Sequence, residues 1–189
     1  ALLPLEHGRT VSDAAGIVSV ADMACTVTES EDLLVRADQD TLFVDDWDEY
    51  ERTYVSSRSA YQDATREVVF AVSDEDVDRF GEDFDDTVVD TTFLLTHNVV
   101  TPAPLFGIAL LPYPMALEFR HGEYDIDGET LQIYSIITWI AESASGAAGD
   151  NHLYQSYSIE INAERPDTGT TLRMLAVWAE PGGAGIEPD

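Results

Sequence analysis

The chain has 189 residues, of which 37 are Asp or Glu and 9 are basic, giving a formal net charge of -28. No basic patch exists to neutralise phosphates, which argues against nucleic-acid binding, and no window approaches the roughly 18 apolar residues of a membrane-crossing helix. Acids spread through a chain that is 44% hydrophobic do not describe a disordered acidic tail, so the length points to one folded domain.

Residues 1–16 read as an N-terminal arm in which Leu2, Leu3, Pro4 and Leu5 are too apolar for a free tail. The start at Ala1 fits removal of an initiator methionine and trimming of a secretion signal alike. A strand is predicted over 17–28, with Cys25 in step with Ala21, Met23 and Val27 at a buried position. As the single cysteine, Cys25 has no internal disulfide partner. Short strands follow over 33–37, 41–44 and 52–57. Between them DDWDEYE, 45–51, reads as a solvated loop, because sequence spacing alone does not set two carboxyls across a sugar cleft. EVVFAVS, 67–73, places Val68, Phe70 and Val72 on one strand face.

The acid-rich segment that follows invites a calcium reading, which fails on spacing. An EF-hand register from Asp76 places Asp78 and Gly81 correctly but puts Phe80 and Thr87 at ligand positions. A register from Asp74 puts Arg79 where glycine is needed. The residues instead predict a short surface helix near 74–80. Ser73 caps it, Asp74, Glu75 and Asp76 lie in the first turn, Val77 and Phe80 share one face, and Gly81 ends it.

From there the period is two. The stretch 87–100 carries Val89, Thr91, Phe93 and Leu95 on one face, and 105–111 leads to a corner at Pro112 and Pro114. MALEFRH sets Met115, Leu117 and Phe119 opposite Glu118 and Arg120. LYQSYSIEINAE, 153–164, alternates Leu153, Tyr157, Ile159, Ile161 and Ala163 with Tyr154, Ser156, Ser158, Glu160 and Asn162, the pattern of a sheet with one wet side. The strands starting at Thr130 and Thr171 are apolar on both faces in their later halves, as in the middle of a sandwich or against a neighbouring subunit. Turn residues cluster around 122–129, 143–151 and 165–170. Roughly ten strands and no crossover helix predict an all-β antiparallel β-sandwich over 17–180, a single jelly roll, with a flexible tail over 181–189.

Signatures of chemistry are absent. His7, His97, His121 and His152 stand apart with no metal-ligating spacing, and G-x-S-x-G, Walker A and G-x-G-x-x-G do not occur. No catalytic, cofactor-binding or metal residue is assigned, and a non-enzymatic role is expected. Carboxylates without lysine are similar to the surfaces of extreme halophiles, above all haloarchaea. At molar salt the screening length falls to about 3 Å, so crowded acids scarcely repel one another.

The arm ALLPLEHGRT, the alternating strands from Ile17 to Ala179 and the short tail after Pro181 resemble the smaller major capsid protein of haloarchaeal icosahedral viruses with an internal membrane, the sphaerolipovirus-like kind. The resemblance implies a structural protein of the virion: a single jelly roll that stands upright and assembles laterally with copies of itself and a second capsid protein, made in the cytoplasm of a haloarchaeal host. It implies no cofactor and no nucleic-acid partner. Leu2, Leu3, Leu5, Arg9 and Arg165 are the interface candidates. The arm packs on a neighbour or near the internal membrane, or else folds back on its own domain. The competing expectation is a secreted or cell-surface β-sandwich binding module that uses Trp47, Tyr50 and Tyr54 as aromatic contacts.

Overall fold

The computed structural model describes residues 14–55, 88–104, 109–140, 143–146 and 151–183. Its strands are β1 (Ala15–Met23), β2 (Trp47–Val55), β3 (Val88–Pro102), β4 (Tyr113–Ile126), β5 (Glu129–Ile140), β6 (Ala144–Ser145), β7 (Asn151–Arg165) and β8 (Thr170–Gly183), and its helices are α1 (Val27–Leu34) and α2 (Gln39–Leu42). All strand neighbours are antiparallel, in the order β1-β8-β7-β5-β4-β3-β2, with the short β6 against β7. The all-β antiparallel fold predicted from the period is the fold observed, and it is consistent with a sandwich. The described strands form one open sheet built largely from neighbouring hairpins, and the Greek-key returns of a jelly roll are not confirmed in it.

The β4–β5 hairpin follows from its sequence. Asp127 and Gly128 form a two-residue turn with φ of 54° and 83°, the left-handed pair that Asp-Gly supplies at low cost. The Asp125 side chain accepts from the Gly128 N–H at 3.0 Å and braces it. At the next hairpin Gly169 has φ 66° and its N–H donates to the Arg165 carbonyl at 2.8 Å.

Several local expectations are corrected. The chain leaves the sheet at Met23, and 27–34 is helix where strands were predicted over 17–28 and 33–37. The cause is a capping box. Thr26 Oγ1 accepts from the Glu29 N–H at 3.2 Å, and the Glu29 carboxylate accepts from the Thr26 N–H at 2.8 Å. Val27, Ser30 and Leu34 then share the inward face at helical spacing. Cys25 sits partly buried in the bend before α1, not at a buried strand position. The segment 41–44 contributes to α2, and most of DDWDEYE belongs to β2. A bulge between Trp47 and Glu49 brings Trp47 and Tyr50, three apart, onto one face. β8 runs to Gly183, into the segment assigned to the tail. The arm to residue 13, the strand over 67–73, the helix near 74–80 and the last six residues lie outside the described residues.

The core lies on the face of the sheet that α1 covers. Val27 of α1 joins Tyr50, Val100, Tyr113, Met115, Leu117, Phe119, Tyr134, Ile136 and Ile140 in one buried cluster. Phe119 and Tyr134 stack at 6.0 Å. Burying each such side chain stabilises the fold by about 1.5–3 kcal/mol. The opposite face is also closed near the middle, where Trp139, Tyr157 and Ala176 are buried, as the two-sided apolar halves of β5 and β8 predict. On that face Glu118 is buried and accepts from Arg120 Nε at 2.7 Å.

Candidate functional site

The polar residues of β7 give the first sign of a site. Ser158, Glu160 and Asn162 alternate as predicted, but they do not form a wet face: Ser158 is half-buried. Glu160 and Asn162 are buried on the side that α1 covers. Register explains this: Leu117 of β4 lies beside Thr138 of β5 and Ser158 of β7, while Phe119 lies beside Ile136 and Glu160. Paired residues of an antiparallel sheet point to the same side, so the polar row of β7 extends the core face.

Between this face and the cover of α1, α2 and the following turn lies a cavity of about 350 Å³. That is within the range of small-molecule pockets, roughly 300–1,000 Å³. Leu34, Phe43 and Trp47 line it from the cover and from β2, and Met115, Leu117 and Ile136 line it from the sheet. Its polar groups are Gln39, Asp46, Tyr50, Arg52, Thr138, Ser158, Glu160 and Arg173. Asp46 is exposed at the rim.

Two arginines stand at opposite ends of this cavity, one on β2 and one on β8. Arg173 Nη2 donates to Glu160 Oε2 at 2.6 Å, and Glu160 Oε1 also accepts from Asn162 Nδ2 at 3.0 Å. The hydrogen bond to Glu160 holds the Arg173 guanidinium more firmly protonated than usual. Arg52 is buried and has no carboxylate partner among the described residues. Its Nε donates to Asn98 Oδ1 at 2.9 Å, its Nη1 to the carbonyls of Leu34 at 2.7 Å and Arg36 at 2.9 Å, and its Nη2 to Tyr50 Oη at 2.7 Å. Rings of Tyr50 and Phe119 lie 5.1 and 5.3 Å from the guanidinium carbon. Arg52 thus ties the C-terminal end of α1 to the sheet, and Gln39 Nε2 adds donors to Leu33 and Arg36 carbonyls at 3.0 and 2.9 Å.

At the other side of α1, Glu31 contacts His121 Nδ1, whose Nε2 faces Gln132 Oε1 at 2.6 Å, and Gln132 Nε2 donates to Glu123 Oε1 at 2.7 Å. This places a histidine beside a carboxylate, but neither lines the cavity. His97 on β3 is partly buried, and burial pushes its imidazole below the usual range, with Glu51 opposing. His152 stacks on Tyr154 at 5.5 Å. Among the described residues no three His, Cys, Asp or Glu converge to hold a metal ion.

Of the interface candidates, Leu2, Leu3, Leu5 and Arg9 lie outside the described residues. Arg165, at the end of β7, donates to Asp22 Oδ1 of β1 at 2.9 Å, clasping the edge strand within the molecule. Trp47 and Tyr50 are brought together, edge to face at 5.3 Å, beside the cavity. Tyr54 lies on β2 with its side chain outside the described residues. Sequence reasoning missed Arg52, Glu160, Arg173 and Gln39. The signal available was Thr26-x-x-Glu29, which announces a helix able to cover polar strand residues. No known family, curated protein or solved structure matches the chain.

Proposed function

We propose that this chain is a binding domain that holds a small amphipathic molecule between the sheet and α1. One observation carries the reading: a cavity of about 350 Å³ with an apolar middle and a few fixed polar groups converging from β2, α2, β7 and β8. An amphiphile fits better than a sugar. Tyr50 is buried with its hydroxyl engaged by Arg52 and its ring against Trp47, so the two aromatics do not form an open stacking platform.

Calorimetric titration in molar salt with 1-octanol tests this. Saturable binding at one site is expected, lost when Ser158→Trp fills the cavity without changing the circular dichroism. No saturable heat with the native protein, or equal binding by the folded filled variant, refutes the reading.

A second reading is favoured by a different observation. Among the described strands β1 is a sheet edge, paired on one side to β8, and it exposes Ile17, Val18 and Val20 at 69%, 62% and 62%. Across its nine residues only Asp22 is charged, and gatekeeping lysine or proline is missing from the edge. Such an edge suits a structural subunit of a halophilic archaeal virus, a capsid protein that assembles laterally with its own copies and a second capsid protein into an icosahedral shell in the virion. Sedimentation in molar salt is expected to show assemblies that Val18→Lys reduces to monomer. Transfer to dilute buffer near ~10 mM salt, where screening extends to about 30 Å, is expected to dissociate or unfold the protein. A monomer in molar salt, or native sedimentation and circular dichroism in dilute buffer, contradicts it.

A further inference from the structure

The polar groups of the cavity also state the charge of the ligand, an inference that rests on the binding reading above. Arg173 and Glu160 neutralise each other by direct contact. Arg52 does not share that arrangement: its four hydrogen bonds all go to uncharged acceptors. A guanidinium carries five N–H donors, so one Nη2 hydrogen has no acceptor among the described residues. The carbonyls that end α1 carry a fraction of a unit negative charge, about half, which softens the burial of a full positive charge without cancelling it. In a chain with a net charge of -28, a buried cation that faces a cavity and contacts no carboxylate is an exception that composition opposes. Carboxylates are abundant, yet none among the described residues is placed on it.

We infer that the ligand is an amphipathic monoanion, a carboxylate whose head group is received at Arg52 Nη2 and whose apolar body lies along Leu34, Phe43, Trp47, Met115, Leu117 and Ile136. The order of elements supplies the polarity. Arg52 projects from β2 at one end of the cavity, and the apolar side chains of β4 and β5 continue from it toward the Glu160–Arg173 pair. A second negative group would meet Glu160, and a cationic head group would meet Arg52, so the site discriminates by repulsion as well as attraction. Because Arg52 is buried, bulk salt screens this interaction far less than it screens the surface acids. Anion selectivity is therefore retained in brine.

The test uses the whole chain in molar salt and three probes of matched length, octanoate, 1-octanol and octylammonium, titrated calorimetrically. Octanoate is expected to bind about tenfold or more tighter than 1-octanol, with octylammonium weakest. In folded Arg52→Gln the ratio of octanoate to 1-octanol affinity is expected to fall to about one, and this ratio is the readout because loosening the end of α1 shifts both affinities together. Should that variant fail to fold, the guanidinium N–H resonances of the native protein provide a second reading: those of Arg52 are expected to shift with octanoate and not with 1-octanol, and a shift at Arg173 in their place overturns the assignment. Equal affinities of octanoate and 1-octanol for the native protein overturn the anion inference and leave the binding reading standing. Absence of binding by all three overturns the binding reading itself.

Discussion

Replacing Arg52 by methionine keeps much of the aliphatic stem and removes the guanidinium, and its cost follows from what is left behind. The Leu34 carbonyl and Asn98 Oδ1 lose their donors, whereas the Arg36 carbonyl retains Gln39 Nε2. An acceptor orphaned in a buried site costs about 1–3 kcal/mol, and relief of burying a cation offsets part of the total, so a net loss of about 2–4 kcal/mol is expected. That is a large share of the roughly 5–15 kcal/mol that holds a domain together. Denaturant unfolding at constant molar salt reads it as a lower midpoint at unchanged slope. Hydrogen exchange should locate the loss in α1, whose last turn the arginine ties to β2 and β3. A loss below about 0.5 kcal/mol, or exchange that quickens evenly over the sheet and not at α1, would refute the assignment of Arg52 as the fastening of the helix.

Other expectations follow from single contacts. Glu31→Gln and His121→Ala each loosen the far side of α1, and a double-mutant cycle by thermal melting should give a coupling of about 1 kcal/mol, with additivity refuting the contact. His97 has a folded-state pKa below its ordinary value of 6.5, so the unfolded chain binds more protons. Its contribution to stability is therefore full above that value and falls as pH drops through it toward the folded pKa, and His97→Gln should flatten this part of the stability–pH curve. Gly128→Ala places a side chain at φ 83° and should cost about 1–2 kcal/mol in denaturant unfolding. The neighbouring Ile126→Thr, on an exposed strand end, should cost far less.

How much was legible in advance depends on whether the signal was local. The Asp127-Gly128 turn, the alternation of β4 and the two-sided apolar halves of β5 and β8 were all readable, because backbone conformation and the period of two are short-range properties. The α1 region was misread as strand although Thr26 and Glu29 announced the cap, since short apolar runs in 17–37 satisfy both periods. The bulge at Trp47 hid the first half of β2, of which the strand predicted over 52–57 caught residues 52–55: an extra residue breaks alternation, so 45–51 reads as a loop. Interface candidates in the arm fall outside the described residues, while Arg165 spends its charge on Asp22.

By itself the sequence determined the class of fold, the position of its sharpest turns and a formal net charge of -28. Only the tertiary structure decided which face of β7 is inside. Alternation says that Ser158, Glu160 and Asn162 share a side but not whether water or a helix lies over it, because the answer belongs to α1, more than a hundred residues earlier in the chain. The same holds for the site. Arg52 and Arg173 look alike in sequence and both line the cavity, and only packing gives Arg173 a carboxylate and Arg52 uncharged acceptors.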